Sequence, residues 1–254
     1  MTKLSTKGLT KIYNGIPVVN EIDLDISSGQ IIGLLGRNGA GKTTTFLMLS
    51  GIVKPDSGEV FLDGQSLNEV PSYKRAELGL VYLPQQNSVF LKTTVFMNLY
   101  QVLEMKTTPL KAREKAFELL EDFGLMYVQN SKAFQLSGGE KRRLEIARAM
   151  IMEPKFLFLD EPFTGIDPIT ILDIQRIVLK LKKRGIGIII TDHNVMDTFD
   201  ITDQVYIIHK GEILNYGTPS EIVKEEKTKK LFLGDEFEWA QAAKPDKTGS
   251  EAGS

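Results

Sequence analysis

Apolar positions fall into short strand-like runs, separated by turn dipeptides and by longer stretches with helical spacing. Residues 4–13 predict a first strand ending at Asn14-Gly15, a dipeptide that favours a tight hairpin. Alternation resumes at Val18-Val19 and continues through Ile22, Leu24 and Ile26. The apolar run Ile31-Ile32-Gly33-Leu34-Leu35 predicts a buried strand leading directly into a glycine-rich loop, with a helix from 43 to 49 beyond it. Val60-Phe61-Leu62, closed by Asp63-Gly64, predicts a further hairpin strand.

Between about residues 92 and 152 the pattern becomes helical. Thr108-Pro109 supplies an N-cap and a first-position proline, Gly124 a stop, and Ala112, Ala116, Leu119, Leu120 and Phe123 keep helical spacing. Strand character returns in Phe156-Leu157-Phe158-Leu159. Asp167-Pro168 then opens a helix with Ile171, Ile174, Val178 and Leu181 on one face, ending at Gly185. Ile188-Ile189-Ile190 and Val205-Tyr206-Ile207-Ile208 predict two more strands, the second turning back at Lys210-Gly211. Thr218-Pro219-Ser220-Glu221 forms a capping box for a last short helix. Strands alternating with helices predict an α/β fold, a largely parallel sheet covered on both faces. The early hairpins add an antiparallel layer, and 92–152 an inserted helical subdomain. The expected organisation is a single domain over 1–238, with its core in 1–91 and 153–238. Residues 239–254 hold little to bury and predict a disordered tail.

Composition narrows the chemistry. The 254 residues contain no cysteine, which excludes disulfides, thiolate catalysis and cysteine-ligated metals. Two histidines, His193 and His209, cannot make a multi-histidine zinc site. A formal net charge of −2 argues against a nucleic-acid backbone as partner. No apolar run approaches the roughly 18 residues of a spanning helix, and Met1-Thr2-Lys3-Leu4 does not read as a signal peptide. The expectation is a protein of a reducing compartment that meets a membrane only through a partner.

Three constellations carry candidate chemistry. Gly36-Arg37-Asn38-Gly39-Ala40-Gly41-Lys42-Thr43, followed by Thr44, satisfies G-x-x-x-x-G-K-[ST] between a buried strand and a helix. Glycines let successive amides turn inward around phosphate oxygens, and the helix N-terminus adds its positive dipole end. Lys42 is expected at the β- and γ-phosphates and the Thr43 hydroxyl on Mg²⁺. Asp160-Glu161 closes a fully apolar strand at the sheet edge where ligands bind in open α/β folds. Asp160 suits a Mg²⁺-facing role and Glu161 the positioning of an attacking water. Ser137-Gly138-Gly139-Glu140 is a capping box, but its two glycines, each costing roughly 1 kcal/mol relative to Ala inside a helix, also fit close approach of an anion. One nucleotide with two anion sites makes sense if another copy of the chain offers the second.

The phosphate loop, Leu136-Ser137-Gly138-Gly139-Glu140 and the acidic strand occur in the order of the ATP-binding-cassette ATPases, which the chain resembles over about residues 3–237. The resemblance implies a P-loop NTPase (RecA-like) core, ATP and Mg²⁺, and a homodimer closing on two nucleotides. It implies that Tyr13 stacks on adenine and that Gln85 joins the Mg²⁺ site to two transmembrane subunits, which dock near residues 85–92. Val89-Phe90-Leu91 is then either an exposed docking step or a buried hinge. Asp167 is implied at the dimer interface, beside its role as helix cap, and His193 as the γ-phosphate sensor. Gly165-Ile166 departs from the Ser-Ala-Leu common there. Within the family, Tyr82-Leu83-Pro84-Gln85, Thr191-Asp192-His193-Asn194-Val195 and Leu231-Phe232-Leu233-Gly234-Asp235-Glu236-Phe237 are similar to ATPases of lipopolysaccharide export. This implies a place on the cytoplasmic face of a Gram-negative inner membrane. Branched-chain amino-acid importers and soluble iron–sulfur-assembly ATPases are the alternatives.

Overall fold

The computed structural model describes residues 1–86, 88–228 and 230. The 231–237 stretch and the 239–254 tail singled out above lie outside the described residues. In chain order the strands are β1 (Lys3–Tyr13), β2 (Ile16–Ile22), β3 (Asp25–Ser27), β4 (Ile31–Gly36), β5 (Ser57–Leu62), β6 (Gln65–Ser66), β7 (Leu80–Leu83), β8 (Phe156–Asp160), β9 (Gly187–Thr191), β10 (Gln204–His209) and β11 (Glu212–Gly217). The helices are α1 (Lys42–Leu49), α2 (Ser72–Glu77), α3 (Val95–Glu104), α4 (Pro109–Asp122), α5 (Gly138–Met150), α6 (Pro168–Lys183), α7 (Val195–Phe199), α8 (Pro219–Lys224) and α9 (Glu226–Thr228).

Every residue of β4, β8 and β9 is buried, because helices or a second sheet cover both faces. These strands lie inside a six-stranded sheet of order β11-β10-β4-β9-β8-β7, parallel throughout except for the β10–β11 hairpin. Alternation then sorts the side chains. Leu157, Leu159, Ile188 and Ile190 face an apolar cluster shared with α3, α4, α5 and α6. Phe156, Phe158 and Ile189 face a second cluster with Phe46 and Met48 of α1 and with Leu4, Val19 and Val60. Those last three belong to the antiparallel sheet, in which β1 pairs with β2, β3 and β5, and β6 extends β5. Helix α1 is therefore held between the two sheets. The inserted helices share their core with one face of the parallel sheet.

The hairpins predicted at Asn14-Gly15, Asp63-Gly64 and Lys210-Gly211 are present, and both central residues of each have positive φ. That geometry matches the twist of the strands it joins. Among the described residues no helix is long and apolar enough to cross a membrane.

Arg75 of α2 is only 1% exposed, and its guanidinium closes the far end of α1. It donates to the carbonyls of Met48 and Leu49 at 2.8 and 3.0 Å, to Leu67 at 2.6 Å and to Val70 at 3.0 Å. A cation at a helix C-terminus meets the negative end of its dipole, and one fork satisfies four carbonyls. Its neighbour Gly51 has no room for a side chain, since a Cβ there would lie 2.7 Å from the Arg75 Nε. Arg75→Met keeps the bulk but orphans these carbonyls. We expect a loss of about 3 kcal/mol or more of stability, read as a fall of about 10 °C in melting temperature.

Candidate functional site

The phosphate loop is shaped by close backbone contact. A Cβ on Gly36 would stand 2.3 Å from the Ile208 carbonyl oxygen of β10, and one on Gly41 would stand 2.5 Å from the Val18 carbonyl oxygen of β2. Gly41, at φ 108°, is the N-cap of α1. Lys42 is 6% exposed, and its ammonium curls back to donate to the Gly36 carbonyl at 2.8 Å and the Arg37 carbonyl at 3.2 Å. Burial lowers its pKa, while the nearby Glu161, Asp160 and Asp192 partly oppose that shift.

A cavity of about 350 Å³ opens in front of the loop. Asn38, Gly39, Ala40, Gly41, Lys42, Thr43 and Thr44 line one side, with Gln85, Glu161 and His193 opposite. The predicted catalytic and phosphate-loop residues therefore converge from β4–α1, β7, β8 and β9. Glu161 is the hub of the far side. Its carboxylate lies 2.6 Å from His193 Nε2, accepts from the Gln85 amide at 2.5 Å and from the Thr164 hydroxyl at 3.3 Å.

Asp160 sits behind that wall, 2% exposed, 3.4 Å from the Thr43 hydroxyl. Tyr82 donates to its second oxygen at 3.0 Å, and Thr191 donates to the first. Burial, then the Asp160 charge, pushes the Tyr82 phenol well above its ordinary pKa. Asp192 is buried too, which raises its pKa, and it accepts from the amides of Phe163 and Asn194 at 2.8 and 2.9 Å. It thereby ties the turn after β9 to the loop after Glu161. Among the described residues there is no cluster of three or more His, Cys, Asp or Glu able to hold a metal. The Asp160 carboxylate and the Thr43 hydroxyl, 3.4 Å apart, are nevertheless hard oxygen donors of the kind Mg²⁺ prefers.

The signature residues do not line this cavity. Ser137 caps α5 by accepting from the Glu140 amide at 3.2 Å, and Glu140 returns the contact to the Ser137 amide at 2.7 Å. Ser137 and Gly138 are exposed, but Gly139 is buried. A Cβ on Gly139 would fall 2.1 Å from Thr170 Cγ2 of α6, so packing inside the chain already demands that glycine. The missing side chain of Gly139 thus has a cause inside the chain, whereas Gly138 is exposed. Asp167 caps α6 through Thr170, whose amide lies 3.0 Å away, and bonds from Thr170 hold its carboxyl below the usual range. Tyr13, half-exposed at the end of β1, lies outside the cavity lining, with the Lys11 ammonium 5.5 Å over its ring. The segment after Gln85 is split: Val89 is buried at 7%, while Phe90 and Leu91 are 45% and 46% exposed.

Sequence reasoning missed Tyr82 and the pair Arg142–Glu145. Arg142 and Glu145 form a buried ion pair at 2.9 Å on α5. Arg142 also donates to the carbonyls of Pro84 at 3.1 Å and Asp160 at 3.2 Å, and Glu145 accepts from the Ser88 amide at 2.6 Å. The available signal was charge on the inner face of an amphipathic helix, which a buried polar network requires to be satisfied.

A family model described as ABC transporter matches residues 19–164. The chain is 45% identical to the lipopolysaccharide export system ATP-binding protein LptB of Haemophilus influenzae, over 93% of this chain and 99% of that protein. It is 44% identical to LptB of Escherichia coli K12 with the same coverage. Among solved structures, the ADP conformation of an ATP-binding cassette of an ABC transporter superposes with a TM-score of 0.83. It is 27% identical, and the match covers 92% of this chain and all of that one.

The Gly139 contact is testable by a double-mutant cycle. Gly139→Ala overpacks the α5–α6 junction and should cost about 1–3 kcal/mol in urea unfolding. Thr170→Ser removes the clashing methyl while keeping the hydroxyl on Asp167, and the double variant should recover at least half of that loss.

Proposed function

The chain belongs to the ABC transporter family as an ATP-hydrolysing subunit, and from that premise we propose that it powers extraction and export of lipopolysaccharide. The observation that carries the export reading is the similarity to LptB, which runs along nearly the whole of both chains. On this reading it sits on the cytoplasmic face of the inner membrane, held there by two transmembrane subunits that dock near residues 85–92. The half-exposed Phe90 and Leu91 supply an apolar step of the kind such a contact uses. One ATPase domain would span 1–238, with 92–152 as its helical subdomain.

Two copies would close on two ATP molecules. In each site the amides of residues 36–43 and the Lys42 ammonium hold the phosphates of one nucleotide, and Tyr13 stacks on its adenine. Ser137 and the amides of Gly138 and Gly139, presented by the other copy, close on the γ-phosphate, with Asp167 at the interface. The oxygen donors of Thr43, Asp160 and Gln85 suit Mg²⁺, which when bound offsets the negative charge of the phosphates. Catalysis is positioning and charge stabilisation. Glu161 holds the attacking water in line, and His193, 2.6 Å from Glu161, sets the orientation of that carboxylate and meets the γ-phosphate. Gln85 bonds one Glu161 oxygen in this structure, so a shift of Gln85 with the docked subunit would leave that oxygen with only the Thr164 hydroxyl and open a lone pair to water.

Glu161→Gln should bind ATP, accumulate as a dimer, and turn over on the order of a hundredfold more slowly or worse; wild-type turnover would remove Glu161 from the role of key carboxylate. Ser137→Ala should cost about 1 kcal/mol of helix capping and lower turnover, with ATP binding by the monomer kept. Equal loss of both would argue against the in-trans role. Affinity purification from native membranes should bring down the transmembrane subunits of a lipid exporter. Recovery of amino-acid permease subunits, or of soluble assembly factors alone, would overturn the export reading.

A further inference from the structure

Nothing intrinsic to an aspartate fixes the plane of its carboxylate, because its terminal torsion is broad and roughly two-fold. At Asp160 that plane decides which oxygen meets Thr43. The Thr43 and Thr191 hydroxyls both lie at Oδ1, and among the described residues the Tyr82 hydroxyl alone bonds Oδ2, at 3.0 Å. The place of that hydroxyl is in turn set by packing. Strand β7 runs parallel to β8 with Tyr82 opposite Phe158. The Tyr82 ring meets Phe46 of α1 edge-on, with centroids 6.3 Å apart and planes at 82°, and Phe46 lies 5.8 Å from Phe158. An aromatic wedge between the phosphate-loop helix and the acidic strand thus ends in an O–H directed at the carboxylate.

We propose that Tyr82 is a positioning residue for the nucleotide's metal: its hydroxyl holds Oδ2 of Asp160, so that Oδ1 stays turned toward Thr43. The bond is charge-assisted, the stronger class of hydrogen bond, and it lies in a half-buried setting where water competes poorly. The proposal rests on the reading that Asp160 and Thr43 serve Mg²⁺.

The test measures ATP binding to the full chain by equilibrium dialysis, across a Mg²⁺ titration and in EDTA. Tyr82→Phe keeps the ring and its contacts, so its melting temperature and its metal-free ATP affinity should match wild type. The Mg²⁺ concentration for half-maximal enhancement of ATP binding should rise about tenfold, the change that follows from losing one hydrogen bond to a charged acceptor. A Mg²⁺ midpoint within twofold of wild type would overturn the proposal. So would an equal loss of metal-free affinity, which would assign the effect to the ring. Tyr82→Leu separates packing from positioning: it should lower the melting temperature as well as shift the midpoint, and a shift in Leu without one in Phe would again overturn the hydroxyl's role. Asp160→Asn is the control on the underlying reading. It should abolish the Mg²⁺ enhancement, and if it leaves the enhancement intact the metal-facing role of Asp160 fails and the proposal falls with it.

Discussion

The site depends on how closely the phosphate loop approaches backbone on two sides. The loop touches both sheets at once, β10 at Gly36 and β2 at Gly41, each at a distance where no side chain fits. The β10–β11 turn wedges into the same place. Gly211 donates to the Ala40 carbonyl at 3.0 Å and accepts from the Asn20 amide at 2.8 Å, and a Cβ on it would lie 2.8 Å from the Val18 oxygen. Rigid backbone on three sides fixes where the loop amides point, and preorganised donors gain most when they need not reorganise at the moment of reaction. The antiparallel layer is therefore part of the site, although only Val18 from it lines the cavity.

A second constraint separates two adjacent carboxylates. Along β8, Asp160 follows Phe156 and Phe158 toward α1, which brings it to Thr43. Continued alternation would send Glu161 after Leu157 and Leu159 into the apolar cluster shared with the inserted helices. The backbone instead turns at Glu161 with φ 48°, a left-handed conformation that costs a non-glycine residue about 1–2 kcal/mol. The Glu161 amide is held there by the Thr191 carbonyl at 2.8 Å. The result is one buried acid bonded by hydroxyls and one facing the cavity, the division of labour that metal-facing and water-positioning roles require.

The loop, the acidic strand end and the hairpin dipeptides were legible in the sequence because each is local: a few adjacent residues dictate both conformation and chemistry. Strand order was not legible. That β9 lies between β4 and β8 follows from pairing Ile31 with Ile188, 157 positions on, and Phe156 with Gly187, 31 positions on, of which alternation keeps no record. Gly139 shows how one local observation can have a further cause that the sequence hides, since its missing side chain also answers Thr170, 31 positions on. The roles of Arg75, Tyr82 and Glu145 escaped notice for the same reason. In sequence each is an ordinary helix or strand residue, and only the fold shows which distant polar groups its side chain bonds.

Glu145 and Arg142 tie three separate segments together. Their buried pair on α5 bonds the Pro84 and Ser88 backbone on one side and the end of β8 on the other. Arg148, one turn further along, donates to the Ser88 carbonyl and lies 4.4 Å over the Phe90 ring. Breaking one partner of a buried ion pair leaves an uncompensated charge at a cost of roughly 3–5 kcal/mol. Motions that preserve the network are therefore far cheaper than motions that shear it. The helix whose tip carries Ser137 and the segment that carries Phe90 are thus bonded to each other and to the strand that ends in Asp160. On the proposed reading, the membrane-facing step and the serine tip that closes on a neighbouring nucleotide are then joined through one buried network of side-chain bonds.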